Sequence, residues 1–264
     1  MTIILILLAI IVGIAMGLIG GGGSILTLPI MTYVKGVNPI LATSYSLFVV
    51  GTTALIGMAI NIRKKNLHFK TVFIFGLPSI LSLYLTRLLI IPEIPDTLFS
   101  LNGFIITKDI GIMLLFAILM FMSAISMIRS KVNYESTSLQ DIHYNYFIIA
   151  AEGILVGFTT GLVGTGGGFL IIPVLVLSVK LPMKIAIGTS LTIVAIKSLL
   201  GFVGDLQTGM VIEWSFLLLF SFFSIIGIFI GLYLSNFISG ALLKKSFGYF
   251  VLIMSLYIII RELL

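Results

Sequence analysis

The sequence predicts an all-α polytopic membrane protein built from two inverted-topology repeats, each containing a glycine-broken helix or re-entrant half-helix. Three observations carry that expectation. Hydrophobic residues fill 59% of the 264 positions and charged residues only 9%, with a mean hydropathy of +1.28, and a soluble core of this size cannot hide so much apolar surface. Apolar runs of about 20 residues, each able to cross about 30 Å of hydrocarbon, recur along the chain, which is a helical rather than a barrel signature. Finally, GLIGGGGSILTLP, Gly17 to Pro29, returns 144 positions later as GLVGTGGGFLIIP, Gly161 to Pro173, with seven of thirteen positions identical. The flanks continue the match through Gly13/Gly157, Ala42/Ala186, Ser46/Ser190, Leu47/Leu191 and Gly57/Gly201, so the chain reads as a duplication.

In order, the apolar segments are Ile3–Ile19, Ile25–Val34, Pro39–Ile60, Phe69–Ile91, Ile105–Ile128, Tyr146–Val163, Phe169–Val179, Met183–Gly204, Trp214–Phe237 and Phe247–Ile260. This gives about 8 to 10 membrane segments by the length criterion. The opening stretch MTIILILLAIIVGIAMG has no basic leader and runs into the glycine motif, so it is expected to be the first membrane segment rather than a cleaved signal. Ile25–Val34 and Phe169–Val179 would rise only about 15 to 17 Å as helices, roughly half the hydrocarbon thickness, and read as half-helices. Pro92 to Asp109 carries Pro92, Pro95, Asn102 and Gly103 and reads as a surface loop. The polar stretch RSKVNYESTSLQDIHYN, Arg129 to Asn145, is the natural linker. The domains are therefore residues 1–128 as the first membrane repeat, 129–145 as linker and 146–264 as the second repeat.

The net charge of +6 would suggest nucleic acid in a soluble protein. Here the basic residues lie mostly in short loops between apolar runs, where they orient helices, so no nucleic-acid partner is expected. They also test the topology. With Arg63, Lys64, Lys65 and Lys70 placed inside, a single crossing by each glycine segment and its half-helix splits the basic residues almost evenly. If the chain instead enters, breaks at the glycines and returns, ten basic residues fall inside and Lys35, Lys108 and Arg261 outside. That asymmetry favours the return, and an odd number of passes inverts the second copy relative to the first. Inverted repeats with broken helices near the midplane are the architecture of many secondary transporters.

Gly20, Gly21, Gly22 and Gly23, with their counterparts Gly164, Thr165, Gly166, Gly167 and Gly168, are poor helix interior, since each glycine costs about 1 kcal/mol relative to alanine. An open backbone at membrane depth survives only beside protein or a watery cavity. The half-helix that follows points free N–H groups and its positive dipole end at that spot, which suits an anion. Ser24 and Thr165 can add hydroxyls. The plainer alternative is that these glycines only allow close helix packing. Downstream lie hydroxyl-rich patches, Thr43, Ser44, Ser46, Thr52 and Thr53 in the first copy and Thr189, Ser190, Thr192 and Ser198 in the second; Ser46 and Ser190 are equivalent and are the favoured ligands. Lys197 sits inside an apolar segment, in a slot equivalent to Thr53, and reads either as a counter-charge for an anion or as a snorkelling side chain. Glu152 is a candidate proton carrier or partner of Lys197, with an interfacial position as the alternative. Arg87 and Asp205 lie near segment ends and read as interfacial anchors. Cysteine is absent and the two histidines are scattered, so no metal site, disulfide or cofactor is expected. No His-Glu-x-x-His, no Gly-x-Ser-x-Gly and no intramembrane carboxylate pair is present, so an enzyme is not expected.

The paired GLIGGGGSILTLP and GLVGTGGGFLIIP blocks, each followed about 13 residues later by Ala-x-x-x-Ser-Leu, resemble the TauE/SafE sulfite exporter family, also called the toluene sulfonate uptake permease family. The resemblance covers nearly the whole chain and implies secondary transport of a sulfur-containing anion such as sulfite or an organosulfonate across a prokaryotic cytoplasmic membrane. By the match, it places substrate binding on Gly20, Gly21, Gly22, Gly23, Ser24 and Ser46, and on Gly164, Thr165, Gly166, Gly167, Gly168 and Ser190. Ser24 stands where the second copy has Gly168 and Thr165 where the first has Gly21, so the half-sites are not equivalent. The expected partners are a small anion, the lipid bilayer and a coupling proton or cation; the oligomeric state, the substrate and the direction of flux stay open. An anion channel, or an uptake permease for another small anion, is the alternative reading, and non-saturating flux would mark the channel.

Overall fold

Glycine and proline set the helix breaks near the repeated motif, and the computed structural model, which describes residues 2–95, 97–101, 104–129, 146–207 and 209–263, shows where each break falls. Helix α1 (Ile3–Ile19) stops at Gly20, whose φ of 74° no side-chain-bearing residue adopts cheaply. A short helix α2 (Gly22–Pro29) follows, and its α geometry ends at Pro29, which lacks an N–H; the next turn, Ile30–Val34, is a π-turn. Helix α3 (Pro39–Arg63) opens with the Asn38 side chain accepting the Ile40 amide.

The next span runs over residues 69–90. It comprises α4 (Phe69–Thr71), a π-turn at Val72–Gly76 before Pro78, α5 (Leu77–Leu85) and a π-turn at Thr86–Ile90. At that last turn the Thr86 hydroxyl donates back to the Ser82 carbonyl at 2.7 Å, competing with the backbone ladder. The second half holds α7 (Tyr146–Val163), α8 (Gly168–Leu177), α9 (Met183–Gln207), α10 (Trp214–Leu234) and α11 (Gly240–Leu263), and α6 (Lys108–Arg129) closes the first half. Among the described residues seven helices are long and apolar enough to cross a membrane. Their outward faces carry large apolar side chains in the open, Phe147 at 84% exposure and Ile253 at 66%, as a lipid solvent requires. The protein is an all-α multi-pass membrane protein.

Two expectations need correction. The interval from Pro92 to Asp109 is not simply a loop: Thr97–Leu101 (β1) and Phe104–Thr107 (β2) pair antiparallel, Thr97 opposite Thr107 and Leu101 opposite Phe104. An Asn-Gly pair between two apolar stretches is the sequence signal of such a hairpin, although Asn102 and Gly103 themselves lie outside the described residues. The last helix begins at Gly240 rather than Phe247, because Lys244 and Lys245 interrupt hydropathy without interrupting the helix. The linker over residues 130–145 also lies outside the described residues.

The helix pairs are made by glycine. Gly13 and Gly17 of α1 face Gly227 and Gly231 of α10 so closely that a Cβ on Gly17 would stand 2.6 Å from the Ile228 carbonyl oxygen, and one on Gly231 2.9 Å from the Gly17 Cα. Numbers rise together along both helices, so they run parallel. In the same manner α7 lies along the 69–90 span: a Cβ on Gly153 would meet the Phe75 carbonyl oxygen at 2.6 Å, and one on Gly161 the Thr86 Cβ at 2.7 Å. Where lipid is the competitor, this close backbone approach rather than the hydrophobic effect holds helices together. Helices α3 and α9 form an antiparallel central pair, Gly51 against Leu199 and Gly57 against Leu191.

These contacts also show where the short helices go. Lys35, just past α2, forms an ion pair at 3.2 Å with Glu213, which precedes α10, and α10 runs parallel to α1; the chain comes back toward the face from which α1 set out. In the second half the Ser178 hydroxyl at the end of α8 donates at 2.7 Å to Glu152 Oε1 in the second turn of α7. Each short helix therefore folds back along the helix before it.

Candidate functional site

The two returns bring the beginnings of α2 and α8 together. A Cβ on Gly21 would overlap the backbone of Gly168, standing 2.6 Å from its Cα, so the two chains touch with no side chain between them. Two helix N-termini, each worth about half a positive charge, thus meet inside the protein. The local backbones differ. In the second copy Gly164, Gly166 and Gly167 all have positive φ, 70°, 66° and 73°, and the turn they make delays the helix until Gly168. In the first copy only Gly20 is left-handed, and Gly22 and Gly23 already belong to the first turn of α2. Gly23 is glycine for packing, since a Cβ there would stand 2.5 Å from the Val12 carbonyl oxygen.

Around the second turn the predicted residues converge. The Ser198 hydroxyl points at Gly166, where it would overlap any added Cβ, and Val50 closes the same spot from α3. Thr43 lies against Gly164, and Ile187, its counterpart, against Gly20. Ser46 and Thr53 follow Thr43 and Val50 at helical spacing along α3. Ser46, Thr53, Thr165 and Ser198 are all fully buried, and their hydroxyl oxygens make no hydrogen bond. Buried polar groups are rarely left so; of these four, Ser198 stands at Gly166 and Thr165 lies within the turn itself, while Ser46 and Thr53 lie on α3. Ser190 is tied, at 3.5 Å, to the Gly20 carbonyl. Ser24 donates its proton to Gly21 O at 2.7 Å, so it serves its own helix start and can only accept from a ligand.

Lys197 completes the site. Its side chain is 0% exposed; its Nζ donates to Thr160 Oγ1 at 3.0 Å and Ser79 Oγ at 3.3 Å, and stands 3.1 Å from where a Cβ on Gly167 would be. The ammonium thus sits at the start of α8 and does not snorkel. Salt bridges among the described residues are Lys35–Glu213 and Arg87–Asp205, so Lys197 has no carboxylate partner there. Thr160 and Ser79 have no distinguishing sequence signal beyond being hydroxyls in apolar helices. Glu152 is not brought to Lys197: it is half-buried on Ser178, where the return of α8 ends.

Arg87 and Asp205 are not interfacial anchors. Each is 1% exposed, and they pair with one another: Arg87 Nε donates to Asp205 Oδ1 at 2.7 Å and Nη2 to Oδ2. The remaining guanidinium protons go to Thr43 Oγ1 at 3.0 and 3.1 Å, Ser44 Oγ at 3.1 Å and the Gly161 carbonyl at 3.4 Å. Desolvation makes such a pair costly unless every lone pair and proton is satisfied, and this side-on fork comes close to that. Among the described residues no cluster of metal-ligating side chains occurs.

A family model described as "Sulfite exporter TauE/SafE" matches residues 5–258. A protein of Xylella fastidiosa (strain 9a5c) named "Probable membrane transporter protein" is 31% identical over 255 residues, covering 95% of this chain and 92% of its own. Similar matches, each 30% identical, come from Bacillus subtilis (strain 168), "Probable membrane transporter protein YunE", over 82% of both chains, and from Methanocaldococcus jannaschii, "Probable membrane transporter protein MJ0441", over 77% of this chain and 72% of that one. No solved structure matches.

Proposed function

Because this chain belongs to the sulfite exporter TauE/SafE family, we propose that it is a secondary transporter that carries small sulfur-containing oxyanions, such as sulfite or an organosulfonate, outward across a prokaryotic cytoplasmic membrane. The observation that carries this reading is Lys197, a buried cation at the N-terminus of α8 with hydroxyls but, among the described residues, no carboxylate partner. An oxyanion there would meet the ammonium, the free N–H groups at the starts of α2 and α8, and the unpartnered hydroxyls of Thr165, Ser198, Thr53 and Ser46. Gly20, Gly21, Gly22, Gly164, Gly166, Gly167 and Gly168 let backbone donors approach the anion with no side chain in the way, while Gly23 packs on α1. Ser24 and Ser190 both donate to carbonyls at the start of α2, those of Gly21 and Gly20, and offer lone pairs rather than protons.

We read residues 1–128 and 146–264 as inverted copies whose half-helices enter from opposite faces, and the site as exposed to each face in turn. The backbone contact of Gly21 with Gly168 supports a carrier over a continuously open filter, since it stands where a pore would have to pass. The deciding experiment is a thermal-shift panel of sulfite, sulfate, thiosulfate and organosulfonates on purified protein, followed by flux of the stabilising anion in proteoliposomes. A ligand bound only by the folded state raises the melting temperature. Saturating flux that Gly166→Val abolishes, with the protein still inserted, is the expected result; flux that rises without saturation would make the protein a channel.

A further inference from the structure

We propose that Asp205 carries a coupling proton, and that Arg87 is passed between the Asp205 carboxylate and the transported anion, which is doubly charged when it moves with that proton. The inference rests on the anion-transport reading and extends it from the substrate to the ion that moves with it. The geometry begins with the pair itself, which joins the 69–90 span to α9, elements 118 positions apart in sequence and from different halves of the chain. The guanidinium does not face Asp205 alone. Thr43 Oγ1, which accepts two of its protons, belongs to the side chain packed on Gly164, the first left-handed residue of the second glycine turn. Arg87 therefore stands one hydroxyl away from the turn whose other end is occupied by Lys197.

Charge decides what this arrangement can hold. With Asp205 ionised, Arg87 is neutralised and the site offers the single positive charge of Lys197, enough for a singly charged anion. A dianion would leave one uncompensated negative charge in a medium where that is costly. A proton on Asp205 removes the carboxylate charge and loosens its hold on the guanidinium, so that Arg87 and Lys197 together present two positive charges to the dianion. The proton and the anion are then bound together or not at all, which is what coupling requires. Ser44, which donates to Asp205 Oδ2, can turn its lone pair to a protonated carboxyl without moving its helix.

Other ionisable groups stand on the neighbouring elements. The 69–90 span adds Lys70, which lies over the Tyr146 ring of α7 at the opposite end, and Tyr84, whose hydroxyl is engaged with Gln207; α7 also carries Glu152, which accepts from Ser178. Helix α3 adds Tyr45, which accepts the Glu213 amide, and Arg63 at its far end. Helix α8 has none; α11 carries Lys245, Tyr249 and Tyr257, and its Arg261 and Glu262 are both engaged with Tyr33. On α9 itself Lys184 stands in the first turn, at the far end, and Lys197 lies eight residues away, about 12 Å along the helix.

The test uses proteoliposomes with labelled sulfite, sulfate and thiosulfate as probes. Wild type should accumulate the transported probe against its gradient when about one pH unit is imposed, up to about tenfold for one proton per anion. Asp205→Asn, which keeps the shape and a hydrogen bond to Arg87, should still exchange labelled for unlabelled anion but equilibrate rather than accumulate. Accumulation by Asp205→Asn equal to wild type would overturn the proposal. Should the variant fail to fold, wild type still decides: calorimetry of anion binding in two buffers of different ionisation heat should show about one proton taken up per dianion bound, and none taken up refutes it. If wild type neither binds nor moves any of the three probes, it is the transport reading that fails instead.

Discussion

Replacing Lys197 by methionine should have two effects of opposite sign, and their combination separates a binding lysine from a structural one. Methionine fills nearly the same volume, so the change removes a charge and two hydrogen bonds, to Thr160 and Ser79, from a position with no solvent contact. In the empty protein, desolvating that ion costs several kcal/mol, while each hydrogen bond from a charged donor returns about 1.5–3 kcal/mol. Thr160 keeps its own bond to the Val156 carbonyl at 2.6 Å, so no orphan donor is created there. The net is a variant as stable as wild type or more stable by about 1–2 kcal/mol, a rise of roughly 2–8 °C at about 2–4 °C per kcal/mol. Toward an anion about 4 Å away the charge is worth about 4 kcal/mol at an effective dielectric of 20. Its loss should weaken binding by about a thousandfold at about 1.4 kcal/mol per decade. Differential scanning fluorimetry of the purified variant with and without the stabilising anion reads both quantities. A Lys197→Met protein that melts well below wild type yet keeps the anion-induced shift would show that the lysine holds the fold and not the substrate.

Three further outcomes follow from the geometry. Gly21→Ala should force apart the two half-helix starts, at a cost of about 1–3 kcal/mol for overpacking, and reduce proteoliposome flux more than tenfold; Gly204→Ala, where the nearest atom would be 3.6 Å from the new methyl, is the tolerated comparison. Glu152→Gln should keep flux and its pH dependence within about twofold, because that carboxylate is engaged with Ser178 rather than Lys197; loss of pH dependence would move the coupling role to it. The chain has no cysteine, so single substitutions report topology cleanly: Arg63→Cys and Lys184→Cys should react with an impermeant thiol reagent from one side of the membrane and Lys35→Cys from the other. Reaction of Lys184→Cys on the same side as Lys35→Cys would refute the inverted arrangement.

What the sequence makes legible here is whatever follows from length and from glycine. Tyr146–Val163 and Ile3–Ile19 end where the hydropathy and the first left-handed glycine say they should, and Ile25–Val34 and Phe169–Val179 are visibly too short to span. Lys197 stands out because a charge in mid-segment has no cheap explanation. Arg87 and Asp205 do not stand out, because a charge a few residues from a segment end always has the cheap explanation of reaching the interface, and nothing in one dimension pairs positions 118 apart. The unequal roles of the glycines are hidden for a related reason. Gly22 and Gly23 read like Gly166 and Gly167, yet they lie in the first turn of α2 while Gly166 and Gly167 keep positive φ in a turn.

The glycine seams carry a consequence for how the gene and the machine relate. Each helix that leads into a break is welded, backbone to backbone, to a helix encoded by the other half of the gene: α1 to α10, and α7 to the 69–90 span. The pieces that can shift against one another are therefore mixed assemblies, each with material from both halves, and not the two coding halves themselves. A single half on its own would leave both seams open to lipid.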